Sequence, residues 1–412
     1  MNKKDIAELK KRLTKKKVTF TRLRGCFVNA DKEIVLNINE NFLNMEEEDM
    51  FKYLEIAKKT MSGKLGNNLL ELEFPLSEEE NLGKQQFLMG LKSSALKNDD
   101  LVNRFYELVI ENFEYTGNYL ILLFHDAYDV IKKSSDNAEL DESEEVYEYL
   151  LCAICPIILT KPGLGYKEEE QKIASRIRDW IVDVPVTGFI FPAFTDRSTD
   201  IHSLLFYNKD TKEPHNEFIA GGFGCITKKT GTEQKIIFKD LVINEASDEE
   251  DKGEDIFYDI QENINYILEE EALIDDGSKE PLLITKEKLA SIMDDAGVPE
   301  EISQKIEEAY VEEFEDEPVM AEFILDSKGL ADNVQKKREQ GLVKEVCELK
   351  QQLSDMSLKV NEEIKDKDID LIVKVKPEKV EMIKKQLVDG KMCVVIPLED
   401  DENLVINGEL DK

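Results

Sequence analysis

Histidine, tryptophan and cysteine are scarce in this sequence: its 412 residues include three histidines, one tryptophan and six cysteines. Four of the cysteines stand alone along the chain, which argues against the dense disulfide framework of a small secreted domain. No apolar run approaches the roughly 18 residues of a transmembrane helix. The N-terminal residues are charged and lack the apolar stretch of a secretion signal, so we predict a cytoplasmic protein without membrane association.

Standard catalytic and phosphate-binding motifs are also missing. The sequence contains no G-x-S-x-G, H-E-x-x-H, EF-hand or protein-kinase signature. Two glycine-rich stretches, at 163–165 and 221–224, lack the spacing of a P-loop or a dinucleotide-binding loop. Three glutamates at 168–170 would repel a phosphate beside the first stretch, so we interpret both stretches as turns. We predict no cofactor.

One cysteine pair, Cys152 and Cys155, has the C-x-x-C spacing of redox and zinc sites. Its flanks are apolar, and the second Cys or His pair that a zinc site needs is absent. Residues three apart on a strand point to opposite faces, which hinders both chelation and disulfide formation. We therefore predict buried core thiols and no metal site.

Acidic residues dominate the composition and give a net charge of −35. The charge is uneven: residues 1–24, the basic arm, carry ten Lys or Arg against two acidic residues, while residues 245–322, the acidic segment, carry 28 Asp or Glu against five Lys. An acidic surface repels polyanions over about 8–10 Å, so contact with nucleic acid would have to use the arm. Its candidate residues are Lys10, Lys11, Arg12, Lys15, Lys16 and Lys17.

The arm has two interpretations. It could bind RNA or the ribosome, or it could dock on the chain's own acidic segment. The acidic segment likewise has two: a solvated helical face, or a surface that captures a basic partner.

The hydrophobic periodicity predicts both helices and strands. Helices are expected at 4–17, 45–61, 77–96, 99–115, 167–180, 255–271, 286–296, 300–317 and 329–353. Strands are expected at 24–28, 33–37, 119–124, 147–159, 188–194, 201–207, 371–376 and 404–407. Residues 234–243 fit either type, and Asp389-Gly390 between two apolar runs predicts a hairpin.

These elements predict an α+β or α/β fold with a central mixed β-sheet and flanking helices. An acidic helical segment and a small C-terminal domain rich in β-hairpins would follow. The expected domains are an α/β core with the basic N-terminal helix at 1–244, the acidic helical segment at 245–328, and a helix plus a small β-rich domain at 329–412.

Two polar clusters follow predicted buried strands. His125 and Asp126 form the first, and the second contains Asp196, Arg197, Asp200 and His202. If their strands are neighbours, both clusters would face one crevice, where carboxylates and histidines could perform acid–base chemistry and Arg197 could hold an anion. The alternative is that these residues form turns, ion pairs and strand caps.

Several strings of this sequence resemble the bacterial family called domain of unknown function 4317, found chiefly in Firmicutes. They are residues 21–29, 123–129, 142–156, 188–194 with 196–198, and 373–377 through 389–391 to 405–408. The resemblance spans nearly the whole chain. It implies no activity, because the family has no assigned function or catalytic residues.

Three hypotheses about function remain open, and the sequence leaves it uncertain whether the protein is an enzyme. The first is a binding or regulatory protein that acts through contacts with a protein partner. The second is a hydrolase or phosphoryl-processing enzyme with an Asp/His/Arg crevice. The third is a ribosome- or RNA-associated factor that uses the basic arm.

Overall fold

The computed structural model describes residues 1–77, 83–133, 139–195, 198–247, 250–273, 281–314, 318–365, 375, 377–397, 404–406 and 409–411. The chain forms two compact units, Met1–Leu330 and Ala331–Lys412. The boundary between them lies two residues from the predicted start of the C-terminal domain. The regions predicted as separate domains at 1–244 and 245–328 both lie in the first unit.

The first unit begins with a portion that forms sheet and helices. Its strands are β1 (Arg22–Val28), β2 (Ile34–Asn41), β3 (Leu69–Glu73), β4 (Asn118–Lys133), β5 (Glu139–Leu159), β6 (Leu164–Lys167), β7 (Lys172–Ser175), β8 (Trp180–Val182), β9 (Thr187–Phe191), β10 (Ala193–Thr195), β11 (Ser198–Asp200) and β12 (Ser203–Asn208). Its helices are α1 (Lys3–Arg12), α2 (Glu47–Lys59), α3 (Lys84–Ser93), α4 (Asp99–Asn112) and α5 (Asn216–Phe223).

The largest sheet has the strand order β2-β1-β4-β5-β9-β12-β3, and β8 pairs with the far end of β5. Every pairing between these neighbours is antiparallel. The α+β class is therefore confirmed, but the sheet is antiparallel where we expected a mixed one. Short connections such as the turn between β1 and β2 join antiparallel strands, whereas parallel strands need long crossovers.

Helices cover both faces of this sheet, and the strands alternate their apolar side chains accordingly. Leu122 and Phe124 of β4 belong to one buried cluster, which also contains apolar residues of α1 and α2. Ile121 and Leu123 point the other way, into a second cluster with residues of α3, α4 and α5. The central strands are thus buried on both sides.

A helical layer completes the first unit. It contains α6 (Gly231–Ala246), α7 (Glu250–Leu273), β13 (Leu283–Ile284), α8 (Lys286–Asp295), α9 (Glu300–Phe314), β14 (Val319–Met320) and α10 (Ala321–Ile324). These elements share a third apolar cluster. The predicted acidic segment therefore has a packed apolar core, and its glutamates lie on the outer faces of these helices.

The second unit contains most of a long helix and two hairpins. They are α11 (Ser327–Lys365), β15 (Lys384–Val388), β16 (Lys391–Val395), β17 (Leu404–Ile406) and β18 (Glu409–Asp411). Asp389 and Gly390 connect β15 to β16 with φ values of 52° and 78°. A tight hairpin turn requires positive φ at both positions, which confirms the predicted hairpin. The strand predicted at 371–376 falls largely outside the described residues.

Two other sequence predictions are settled by the structure. Residues 234–243 are helical and belong to α6. The helix predicted at 167–180 is wrong, because this stretch contains β7, the end of β6 and the start of β8.

Candidate functional site

His125 of the interior strand β4 lies opposite the first residue of β1, in a chain of polar contacts. It is 3% exposed. Its Nδ1 lies 2.9 Å from the Thr21 hydroxyl, and its Nε2 lies 2.9 Å from Glu148 Oε1. The other oxygen of Glu148 lies 3.5 Å from the ammonium of the buried Lys92 on α3. The contacts thus run from an exposed hydroxyl through a buried imidazole to a carboxylate and a lysine.

The partners of His125 define the roles of its two ring nitrogens. The Glu148 carboxylate only accepts hydrogen bonds, so a neutral imidazole donates through Nε2 and accepts the Thr21 hydroxyl at Nδ1. Position on the sheet explains the contact. Thr21 immediately precedes β1, and its backbone N–H donates to the His125 carbonyl at 3.1 Å. Glu148 lies on β5, two residues before Leu150, the direct cross-strand partner of His125, and therefore on the same face.

Asp126 lies on the opposite face of the sheet from His125. Neighbouring residues on a strand point in opposite directions, and Asp126 pairs across the strands with Tyr149. Its carboxylate, 1% exposed, accepts hydrogen bonds from the Thr19 hydroxyl at 2.5 Å, the Tyr149 hydroxyl at 2.8 Å and the Ala127 N–H at 3.0 Å. Asp126 therefore joins the segment after α1 to the sheet.

The tyrosines beside Asp126 remain neutral hydrogen-bond donors. Burial, with a further contribution from the Asp126 charge, raises the pKa of Tyr149 well above its ordinary value. Tyr147 stacks on Tyr149 with ring centroids 4.8 Å apart and donates to the Pro192 carbonyl at 2.7 Å. Burial likewise raises the pKa of Tyr147.

The second predicted cluster is only partly described, because Asp196 and Arg197 lie outside the described residues. Asp200 stabilises a turn: its carboxylate accepts from the His202 N–H at 3.0 Å and from the Ser203 hydroxyl at 2.6 Å. His202 itself is exposed. These contacts match the turn-forming alternative for Asp200.

The two histidines do not share a crevice. His125 lies on β4 and His202 immediately precedes β12. These strands are three steps apart in the sheet order, and at roughly 4.8 Å a step this is about 14 Å. His125 is buried and His202 is exposed. Asp126 points away from His125. The structure therefore corrects the expectation that His125, Asp126 and His202 form one site, because β5 and β9 lie between β4 and β12 in the sheet.

Half of the six candidate residues of the basic arm have contacts within the first unit. The pKa of Lys10 is lowered by its burial and by the neighbouring Lys59. The Arg12 guanidinium lies 3.6 Å from the centre of the Tyr128 ring. Lys15 pairs with Glu47 of α2. The other three, Lys11, Lys16 and Lys17, are exposed.

The apolar side of α1 packs on the sheet. Ile6, Leu9 and Leu13 are at most 7% exposed and belong to the first apolar cluster. Lys3 and Lys4, at the start of the helix, line a cleft of about 1410 Å³ together with Glu271 of α7. The arm thus packs on the sheet, and its first residues line the same cleft as Glu271 of the acidic segment.

The cleft has a mixed charge, and several of its lysines are paired. Lys229 lies 2.7 Å from Glu313, and Lys64 lies 3.9 Å from Glu322. Lys228 bonds to Glu73 at 3.0 Å. The first two pairs join the sheet portion and its following loop to the helical layer, and the third joins that loop to β3, so we assign the cleft a structural role.

Cys152 and Cys155 are buried core thiols, as predicted. They lie in different apolar clusters on opposite faces of β5. Burial raises the pKa of Cys155 to about 12 and that of Cys152 well above its ordinary value. Neither thiol forms a disulfide. In the part of the chain that the structure describes, no three His, Cys, Asp or Glu side chains are grouped as metal ligands.

A group of exposed apolar side chains lies within residues 158–184, and our sequence analysis missed it. We call it the apolar platform: Ile158, Leu164, Tyr166, Ile173, Ile177, Trp180, Ile181, Val182 and Val184. Each of these side chains is between 39% and 76% exposed. Alternation of apolar residues in 164–166 was the available signal, but the helical interpretation of 167–180 obscured it.

The geometry of the platform follows from strand pairing. Tyr166 lies directly opposite Ile173 across β6 and β7, and Leu164 is two residues from Tyr166 on the same side. This hairpin therefore has one apolar face. Its turn is fastened by Glu170, which pairs with both Lys167 and Lys172.

The platform is anchored to the main sheet through β8. Trp180 pairs with Leu159 at the end of β5, and Val182 pairs with Ile157. The hairpin is thereby tied at its base to the longest strand of the sheet.

None of the helices in the described ranges combines the length and the apolar character needed to cross a bilayer. A comparison with curated proteins gave no significant match. A comparison with family models matched residues 1–409, almost the entire chain, to one family. The chain belongs to the family described as Domain of unknown function (DUF4317).

Proposed function

We propose that this protein works by binding a protein partner through the apolar platform. One observation carries the proposal: nine large apolar side chains within residues 158–184 are each at least 39% exposed. Single exposed apolar residues are ordinary, but this many within one short segment, with Leu164, Tyr166 and Ile173 on one face of a hairpin, indicate an interaction surface. An isolated hairpin also gains little stability by itself, and a partner that covers its apolar face would supply burial.

The aromatic residues are the expected anchors of the interface. Trp180 and Tyr166 are 57% and 63% exposed, and both residue types are enriched among interface hot spots. Each combines a large apolar area with few rotatable bonds, so ordering it costs little entropy. Leu164 and Ile173 flank Tyr166 on the hairpin and would exclude water around it.

Charge indicates the kind of partner. Residues 158–184 contain five Lys or Arg and five Asp or Glu, so the platform itself is neutral. The whole chain carries −35, with −23 in residues 245–322. A field of this sign attracts basic proteins and repels acidic ones, while the apolar contact supplies the affinity. We therefore assign a partner with an apolar docking patch on an otherwise basic surface.

The proposal includes a cytoplasmic location. No disulfide links the cysteines of the described residues, and thiols persist in a reducing compartment.

The test is site-specific cross-linking in the host cell. A photoreactive phenylalanine replaces Tyr166 in one variant and Tyr266 in the matched control, since Tyr266 on α7 is similarly exposed at 60%. We expect one basic protein to cross-link to the platform position and not to the control position. Equal cross-linking at both positions, or an acidic protein at Tyr166, contradicts the proposal.

Binding of the purified partner provides the quantitative check. Trp180→Ala should weaken the affinity by about 30-fold or more, the usual effect of truncating an aromatic hot spot. Exposed apolar residues elsewhere serve as controls, and Leu43→Ala, at a side chain 58% exposed, should leave the affinity unchanged. Equal effects of the two substitutions would exclude the platform as the binding surface.

The contacts of His125 favour a second candidate function, the hydrolysis of an ester with Thr21 as the nucleophile. The Thr21 hydroxyl is placed to lose its proton to His125, and Glu148 orients the ring, as in a nucleophile–base–acid arrangement. The Thr21 oxygen would attack an acyl carbon, His125 would pass the proton to the departing alcohol, and water would then release the acid.

Covalent labelling tests this second function. A fluorophosphonate probe should label the wild type and Thr21→Ser at residue 21, but neither Thr21→Val nor His125→Gln. Labelling that survives in Thr21→Val, or no labelling of a correctly folded wild type, excludes it.

A further inference from the structure

The long helix α11 carries an apolar stripe that follows a heptad spacing. Its residues, called the α11 stripe, are Leu342, Val346, Leu349, Leu353 and Met356. Successive members are separated by four, three, four and three residues. This alternation places them along one line of a helix and is the pattern of a coiled-coil seam. Val360 stands at the next position of the same spacing in the sequence.

These side chains are exposed along the described helix. Their exposed fractions lie between 48% and 67%. An apolar line on a helix of 39 residues, about 58 Å long at 1.5 Å per residue, is stabilised by burial against another helix. Because it is narrow and regular, a second helix fits it better than a sheet or a groove.

We propose that the α11 stripe is the dimerisation seam of the protein and that its partner is α11 of a second copy of this chain. A helix with a heptad seam is complementary to itself, since identical positions form the layers of a parallel coiled coil. Val at one seam position and Leu at the next favour two strands over three or four. The stripe has Val346 and Leu349 in this order.

The charge of α11 also favours self-association. The chain as a whole carries −35 and repels its own copy, but α11 contains eight Lys or Arg and seven Asp or Glu. Two copies of this helix therefore approach each other without net repulsion. The helix is the longest element with a nearly balanced charge in the described chain.

Flanking charges point to a parallel arrangement. Glu345 immediately precedes the seam residue Val346, and Lys350 immediately follows the seam residue Leu349. Side chains at these two positions meet between the chains of a parallel coiled coil. In that arrangement Glu345 of each copy lies beside Lys350 of the other, giving two ion pairs. An antiparallel arrangement with the same centre would place Lys350 of one chain beside Lys350 of the other.

Sedimentation velocity of the full chain between roughly 1 and 100 µM tests the proposal, a range that covers interfaces of modest strength. We expect the mass to rise from 47.3 kDa to twice this value. Leu353→Glu should raise the dissociation constant by about 30-fold or more, because it places a charge in the seam of each chain. Gln351→Glu adds the same charge on the outer side and should leave dimerisation unchanged.

Cross-linking distinguishes the parallel arrangement. In a chain with Cys347→Ser and Cys393→Ser, Met356→Cys should form an inter-chain disulfide on oxidation, whereas Gln351→Cys should not. A single 47.3 kDa species at the highest concentration, or full dimerisation of Leu353→Glu, overturns the proposal. A dimer without a disulfide in Met356→Cys overturns the parallel arrangement. Circular dichroism of each variant confirms that it is folded.

Discussion

The hydrogen bond from Tyr149 to Asp126 should be measurable as a coupling between two substitutions. The donor and acceptor are 2.8 Å apart and both side chains are 1% exposed. A hydrogen bond to a buried charged group contributes about 1.5–3 kcal/mol to stability. We therefore expect Tyr149→Phe to lower the free energy of unfolding by about this amount in the wild-type chain.

The same substitution should cost little once the acceptor is gone. In Asp126→Ala the Tyr149 hydroxyl is buried without that partner, and its removal then relieves a penalty. We expect Tyr149→Phe in the Asp126→Ala background to be neutral or slightly stabilising. The coupling free energy is the difference between the two effects, at least about 1.5–3 kcal/mol.

Urea unfolding followed by circular dichroism at pH 7 measures all four chains of this cycle. Tyr147→Phe is the matched control, because Tyr147 stacks on Tyr149 but donates to the Pro192 carbonyl. It should cost about 0.5–1.5 kcal/mol in both backgrounds. An equal cost of Tyr149→Phe in the two backgrounds would refute the assignment of its hydroxyl to Asp126.

Three further predictions concern packing, pH and thiol chemistry. In the same urea assay, Gly188→Ala should lower the free energy of unfolding by ~3 kcal/mol or more, since the added Cβ would lie 2.2 Å from a β5 carbonyl oxygen. Its control is Gly90→Ala, whose added Cβ meets no atom within 4 Å and which should stabilise its helix by about 0.5–1 kcal/mol. Burial opposes ionisation of Asp326, but hydrogen bonds from Lys235 and a backbone N–H outweigh this effect and lower the pKa of Asp326. Asp326→Asn should therefore destabilise the chain fully above about pH 5, and the loss should disappear as the pH falls through the lowered pKa. Unfolding measured at a series of pH values tests this dependence. Iodoacetamide should modify the exposed Cys347 in the folded chain and leave the buried Cys152 and Cys155 unmodified, which mass spectrometry of the labelled peptides measures. Faster labelling of Cys152 and Cys155 than of Cys347 would contradict the assignment of β5 as a core strand.

Local sequence signals predicted the elements best where one periodicity dominated. The Asp389-Gly390 turn was recognisable because few residue pairs tolerate two positive φ values. The stretch 167–180 failed because β6 and β7 are only four residues long, so each is too short for a clear alternation. The three glutamates in the turn between β6 and β7 also match the acidic first turn that is typical of a helix.

The candidate sites depended on information that a local pattern lacks. His125 and Asp126 are adjacent in the chain, and the predicted strand already implied that they point to opposite faces. Their partners could not be predicted, because Thr21, Glu148 and Tyr149 are between 23 and 104 residues away along the chain. Only the strand order brings these groups together, and strand order arises from the packing of the whole sheet.

The docking of α1 on the sheet has a consequence for synthesis of the chain. The apolar side of α1 packs against strands that include β4 and β5, whose residues follow it by more than a hundred positions. At roughly 5–20 residues per second, a ribosome needs about 7 to 30 s to make that stretch. Throughout this time a short, lysine-rich helix with an uncovered apolar side would be exposed outside the ribosome. Chaperones that bind nascent chains therefore have a defined target, one that disappears when β5 is complete.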